Sequence, residues 1–206
     1  MNSKKIAIDV VLLPPEEIMD LCIAINKKCA AEGKAKALLG KKDFIPHLSL
    51  GIGGVEEKDL PKIKSILKNI AARFAPVKVE LHELYHYISK TDGKKTYGFR
   101  AKITPEIQHF HETVMRELDN FFSYDTTTEM LYKDQGEVIQ VLSPAFTKYK
   151  ENYGFENYKP HITLMCHEVT FKELPIKFTS STIALCHLGD HCTCRKILFS
   201  TPLAKR

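Results

Sequence analysis

With 206 residues, 44% of them apolar and 27% charged, the chain can bury one domain-sized core, or two small lobes sharing one, and stay soluble. Its net charge of +5 and pI near 8.8 permit a polyanionic partner without marking one, because the basic residues are spread along the chain instead of forming a stripe. The apolar run at 6–13 is too short to span a bilayer and is followed by an acidic pair with no small-residue cleavage site, which leaves a cytoplasmic protein with no membrane attachment as the expectation.

In chain order, residues 4–13 read as a strand, and Pro15-Glu16 opens a helix with Ile18, Cys22, Ile25 and Cys29 on its apolar stripe. Residues 44–52 read as a strand closed by Gly53-Gly54. A second amphipathic helix follows, carrying Leu60, Ile63, Leu67, Ile70 and Phe74. Residues 77–89 and 96–103 form a hairpin pattern around Asp92-Gly93, and Thr104-Pro105 is a helix start. The segment 123–136 has weak periodicity and reads as a loop or lid, followed by a short strand at 137–142 and a short helix from Ser143-Pro144 to about Gly154. Strands at 159–165, 183–188 and 191–199 complete the chain, the last two meeting at Gly189-Asp190. No GxGxxG or GxxxxGK[ST] phosphate loop interrupts the alternation, which favours a mixed α+β or α/β plan over a dinucleotide-binding fold.

Two segments echo each other: Ile45-Pro46-His47-Leu48-Ser49-Leu50 and Lys159-Pro160-His161-Ile162-Thr163-Leu164. Both read Pro-His-apolar-hydroxyl-Leu, and each follows a strand and a helix, as an internal duplication would. On a strand, His47 and Ser49 share one face while Leu48 and Leu50 enter the opposite, apolar layer; His161 and Thr163 do the same. Two strands related by a pseudo-twofold then display two imidazoles and two hydroxyls to one cleft. Phosphodiester chemistry needs a base for the nucleophile and an acid for the leaving oxygen, and imidazole serves either role near neutral pH. The hydroxyls can donate to the non-bridging oxygens. Neither a metal nor a cofactor is required, and no HExxH or carboxylate cluster offers a metal site.

Paired His-x-[Ser/Thr]-x motifs on strands, roughly half a chain apart, resemble the signature of the two-histidine (2H) phosphoesterase superfamily, most closely the branch of 2′-5′ RNA ligases and RNA 2′,3′-cyclic phosphodiesterases. The resemblance spans most of the chain. It implies a single domain over residues 1–206 with a bilobal, pseudo-twofold α+β fold, two antiparallel or mixed sheets and flanking helices around a central cleft. His47 and His161 would be the catalytic pair, and Ser49 and Thr163 the substrate-binding hydroxyls. The implied partner is an RNA end or small nucleotide carrying a cyclic or 2′-linked phosphate, met by a monomer. Hydrolysis and 2′-5′ ligation use the same two histidines, with water or a ribose hydroxyl as nucleophile. A module that binds RNA without turnover is the rival class.

A second constellation, Cys186-His187-x3-His191-Cys192-x-Cys194, invites a zinc reading. A two-residue turn at Gly189-Asp190 would pair His187 with Cys192 and bring His187, Cys192 and Cys194 to one face. Three ligands fall short of the four that a structural zinc takes, so no metal is expected there. Arg100 and Lys102 share a strand face expected to be solvated, and Lys159 has the parity of His161. The seven remaining histidines are expected at the surface or in packing.

Overall fold

The opening apolar run becomes β1 (Lys5–Leu13), and Pro15 ends it as the N-cap of α1 (Glu16–Ala31). A computed structural model describes residues 4–89, 92–139 and 144–204. The helical stripes read from the sequence also form α2 (Leu60–Ala71) and α3 (Pro105–Leu118), the latter capped by Thr104 Oγ1 accepting from the Ile107 amide. Strands β3 (Val77–Ile88) and β4 (Lys95–Ala101) pair antiparallel, with Gly93 in the connecting turn at φ 69°, a left-handed conformation that glycine adopts without strain. No helix of the described residues is long and apolar enough to cross a membrane.

Four expectations are corrected. Strand β2 (Leu48–Glu56) begins after His47 and runs straight through Gly53 and Gly54, which pair with Ile8 and Ala7. Glycine serves close packing here: a Cβ at Gly53 would lie 2.5 Å from the Phe122 ring. Residues 137–139 form no strand, and 140–142 lie outside the described residues, as does Ser143; the helix expected there is two short ones, α4 (Pro144–Thr147) and α5 (Tyr149–Tyr153). After β5 (His161–Cys166) comes a strand the sequence did not announce, β6 (Ile176–Ser180). Finally, β7 (Thr182–Leu188) and β8 (Cys194–Pro202) are joined by a 3-10 turn at Asp190–Cys192, with His191 and Cys192 at φ 57° and 58°. That longer link pairs Leu188 with Cys194 and His187 with Lys196, so His187, Cys192 and Cys194 do not converge as the two-residue turn required.

The strands form two four-stranded antiparallel sheets, ordered β2-β1-β7-β8 and β5-β4-β3-β6. Each sheet contains the same unit. A strand leads into a helix, and the motif strand returns to pair beside it at the sheet edge: β1-α1-β2 in one half and β4-α3-β5 in the other. The helices are exchanged between the halves, α1 packing against β5 and α3 against β2. One continuous apolar cluster therefore draws on both sheets, and neither half buries its own motif strand alone.

Candidate active site

His47, Ser49, His161 and Thr163 all line one cavity of about 430 Å³, to which both sheets contribute. Each imidazole is held the same way. His47 Nδ1 lies 2.7 Å from the Ile45 carbonyl oxygen, and His161 Nδ1 lies 2.8 Å from that of Lys159. A carbonyl only accepts, so Nδ1 carries the proton of the neutral ring and Nε2 keeps the free lone pair. The repeated proline explains the anchor. It fixes its own φ and holds the preceding residue extended, so the carbonyl two residues back stays beneath the ring.

The backbone beneath the motifs also repeats. The β1–β2 register passes from Val10↔Gly51 to Val11↔Ser49, leaving Leu50 as an extra residue. The β4–β5 register passes from Gly98↔Thr163 to Tyr97↔Cys166, leaving out Leu164 and Met165. Such bulges re-aim side chains and release ladder groups that must find other partners. The exchanged helices supply them: His111 Nδ1 on α3 donates to Leu50 O at 2.7 Å, and Asn26 Nδ2 on α1 donates to Leu164 O at 3.0 Å. Both side chains are fully buried and satisfied, His111 Nε2 accepting from the Phe155 amide and Asn26 Oδ1 from the Leu39 amide. Equivalent carbonyls, three residues past each motif histidine, are thus clamped by the opposite half of the molecule.

Burial pushes His47 from 6.5 down to about 4, with His161 nearby adding to the shift and the Ile45 carbonyl opposing it. Burial also lowers His161, and the Arg100 guanidinium deepens that shift. Arg100 pairs with His161 in the ladder, lies over the Tyr85 ring at 4.5 Å and lines the cavity, which corrects its reading as part of a solvated face; Lys102 is exposed as expected. Lys159 lines the cavity, and so does His191, the one member of the seven remaining histidines to do so. The sequence reading missed the tyrosines of the wall: Tyr85 and Tyr87 from β3, Tyr149 and Tyr153 from α5, and Tyr158 before β5, groups far apart in the chain whose meeting no local spacing announces.

It also missed Asp9, although a lone charge inside the apolar run of β1 was a visible signal. Asp9 is completely buried, and its Oδ2 accepts from Ser49 Oγ at 2.6 Å and lies 3.5 Å from His47 Nε2. Burial raises this carboxyl well above the carboxylate range, against the smaller opposing pull of the Ser49 hydroxyl and the Gly51 amide.

The histidines set an acid limit to stability. His47 and His111 both fall from 6.5 to about 4, chiefly by burial, so between those values the unfolded chain binds protons that the folded one refuses. Stability is fully present above pH 6.5 and declines as pH falls toward 4, by about 3 kcal/mol per histidine at the acid limit. Asp9, raised in the fold, has the opposite sign and loses its contribution as pH rises. Urea midpoints between pH 7 and 4 should fall steadily, and His111→Gln should flatten the curve. An unchanged slope in that variant would remove His111 from the account.

No protein-family profile and no curated protein matches the sequence. Solved structures match over nearly the whole length. TT0787 of Thermus thermophilus has a TM-score of 0.63 at 14% identity, covering 98% of this chain and 100% of its own. E. coli LigT complexed with NADP+ has a TM-score of 0.56 at 13% identity, covering 97% and 99%. A structure described as a phosphoesterase has a TM-score of 0.54 at 12% identity, covering 98% and 100%. The resemblance to two-histidine phosphoesterases drawn from the motifs therefore holds at the level of fold: the chain has the bilobal α+β fold of LigT.

Proposed function

We propose that the chain is a 2H-type phosphodiesterase that opens RNA 2′,3′-cyclic phosphates or acts on 2′-5′ linkages, with His47 and His161 as its general acid and base. One observation carries this reading: two imidazoles with identically pinned Nδ1 atoms line a single cavity beside two hydroxyls. One neutral Nε2 takes a proton from water as its oxygen bonds to phosphorus. The other ring, as imidazolium, gives its proton to the departing ribose oxygen; when the 3′-oxygen leaves, a 2′-phosphate remains. The two rings then exchange proton states, and no metal is needed. Asp9 Oδ2 accepts the Ser49 hydroxyl at 2.6 Å and fixes that side chain in the cavity; turning of the hydroxyl toward substrate would let Ser49, like Thr163, donate to a non-bridging oxygen. Arg100 adds a fixed positive charge beside His161. The tyrosine wall offers faces on which any base can stack, consistent with weak discrimination among bases. Crystals of LigT with 3′-AMP, ATP and phosphate are in keeping with a phosphate-centred site.

Incubation with a 2′,3′-cyclic nucleotide in EDTA should yield a ribonucleoside monophosphate. Tight RNA binding without product would identify a non-catalytic module instead. Because both histidines lie below their ordinary value in the free protein, the bell-shaped kcat/KM profile should peak below pH 6.5. The kcat profile should lie further toward alkaline pH, since the bound phosphate stabilises an imidazolium. A monotonic profile counts against paired acid-base catalysis.

A further inference from the structure

We propose that Asp9, His47 and Cys194 form an inhibitory binding site for a thiophilic divalent cation such as Zn²⁺; the inhibitory part rests on the reading of His47 as a proton-transfer group. One ligand atom from each residue lies within 4.8 Å of the others. A tetrahedral zinc with bonds of about 2.0–2.3 Å holds its donors roughly 3.3–3.8 Å apart, so a contraction of about 1 Å closes the set. The segment bearing His47 is already tied to Cys194, because the Ile45 amide donates to the Cys194 carbonyl at 3.0 Å.

Three independent features of the trio point to a cation. First, Asp9 is completely buried and, although the Gly51 amide draws on its carboxyl, Oδ1 has no hydrogen-bond partner of ordinary geometry among the described residues. Second, His47 Nδ1 is committed to a carbonyl, the arrangement that orients a ligating imidazole and presents Nε2 to a metal. Third, a carboxylate, a thiolate and a neutral imidazole cancel the two charges of a divalent cation, so the loaded site is neutral in a buried setting where a bare ion would be costly. Loading takes Asp9 as the carboxylate and Cys194 as the thiolate, so the S–H bond of Cys194 breaks and its proton, with any that Asp9 holds, passes to solvent. His47 lines the cavity and its side chain is 14% exposed, which leaves the fourth coordination position open to water or to a substrate phosphate oxygen. Cys194 is a member of the Cys186–Cys194 cluster noticed in the sequence, but β8 turns it toward Asp9 and His47, while His187 Nε2 is engaged with the Met130 carbonyl.

A metal on His47 Nε2 occupies the lone pair that proton transfer requires, so the same atom serves either catalysis or the cation. Co²⁺ titrated into chelator-stripped protein should give a thiolate-to-cobalt charge-transfer band saturating at one equivalent and displaced by Zn²⁺. Zn²⁺ should abolish turnover of a 2′,3′-cyclic nucleotide, and EDTA should restore it. Cys194→Ser should lose the band and weaken Zn²⁺ inhibition by more than about 100-fold, beyond the 10–100-fold cost of losing an outer-shell partner. Its turnover in EDTA should match that of the unmodified protein. Asp9→Asn, a near-isosteric change that removes the carboxylate ligand, should also lose the band and covers the case in which Cys194→Ser fails to fold. A band that persists in Cys194→Ser, or zinc that leaves turnover unchanged or raises it, overturns the proposal. Absence of turnover in EDTA sinks the enzymatic reading alone, because the cobalt titration reports the site without activity.

Discussion

Replacing His47 by alanine should lower turnover of a 2′,3′-cyclic nucleotide by about 10²–10⁴-fold, and His161→Ala by a similar factor, the usual contribution of a positioned acid or base. The loss should fall on kcat, since Nε2 makes its decisive contacts as protons move in the transition state. The double variant should be little worse than either single one, because a pair that hands one proton forward and back works as a unit and fails as one. Ser49→Ala and Thr163→Val should cost less, each removing one donor from a shared set. A single histidine variant retaining turnover within a few-fold of the unmodified protein would remove that residue from the chemistry. Near-equal effects at both positions are the expectation because both rings share an anchor on the carbonyl two residues back, a bulge beneath and a clamp from the opposite helix.

Arg195→Ala should destabilise the fold by about 3 kcal/mol, the lower end of the 3–5 kcal/mol range for breaking a buried ion pair. The Arg195 side chain is only 2% exposed and binds Asp43, Asp134 and Glu137, with the Phe44 ring 4.3 Å from its guanidinium carbon. These partners lie in irregular segments around 43–44 and 134–137, so this one side chain pins both to β8. The lower end applies because the stranded carboxylates are 46%, 60% and 28% exposed and can recover water. Arg195→Lys should restore less than half of the loss, since an ammonium cannot span three carboxylates as the guanidinium fork does. Urea unfolding measures both variants. A loss under about 1 kcal/mol in Arg195→Ala would show that the two segments hold their places without it. Activity should fall as well, because residues 43–46 lead directly into the His47 anchor.

The parts of this protein legible in the sequence are those governed by near neighbours. Helical stripes such as Ile63, Leu67 and Ile70 place α2 because helix period is a property of a few turns. The repeated Pro-His-apolar-hydroxyl motif was readable because strand alternation and the rigidity of proline act within six residues. Where distant segments decide, local signals misled or were silent. Gly53-Gly54 looked like a strand end, yet the ring of Phe122, far along the chain, requires glycine inside β2. The five residues of β6 do alternate, Ile176 and Phe178 against Lys177 and Thr179, but a run this short becomes a strand only by pairing with β3. Arg100 looked solvated until ladder register set it beside His161, a pairing between residues about sixty positions apart. The three residues around the proposed cation site sit at positions 9, 47 and 194. By itself the sequence determined which groups are chemically able to act and how each motif is locally built. Only the tertiary structure decided that the two motifs share a cavity, that helices from opposite halves hold their bulges, and that Asp9 and Cys194 stand beside His47. These are contacts between residues far apart in the chain, fixed by which apolar faces bury one another rather than by any local spacing.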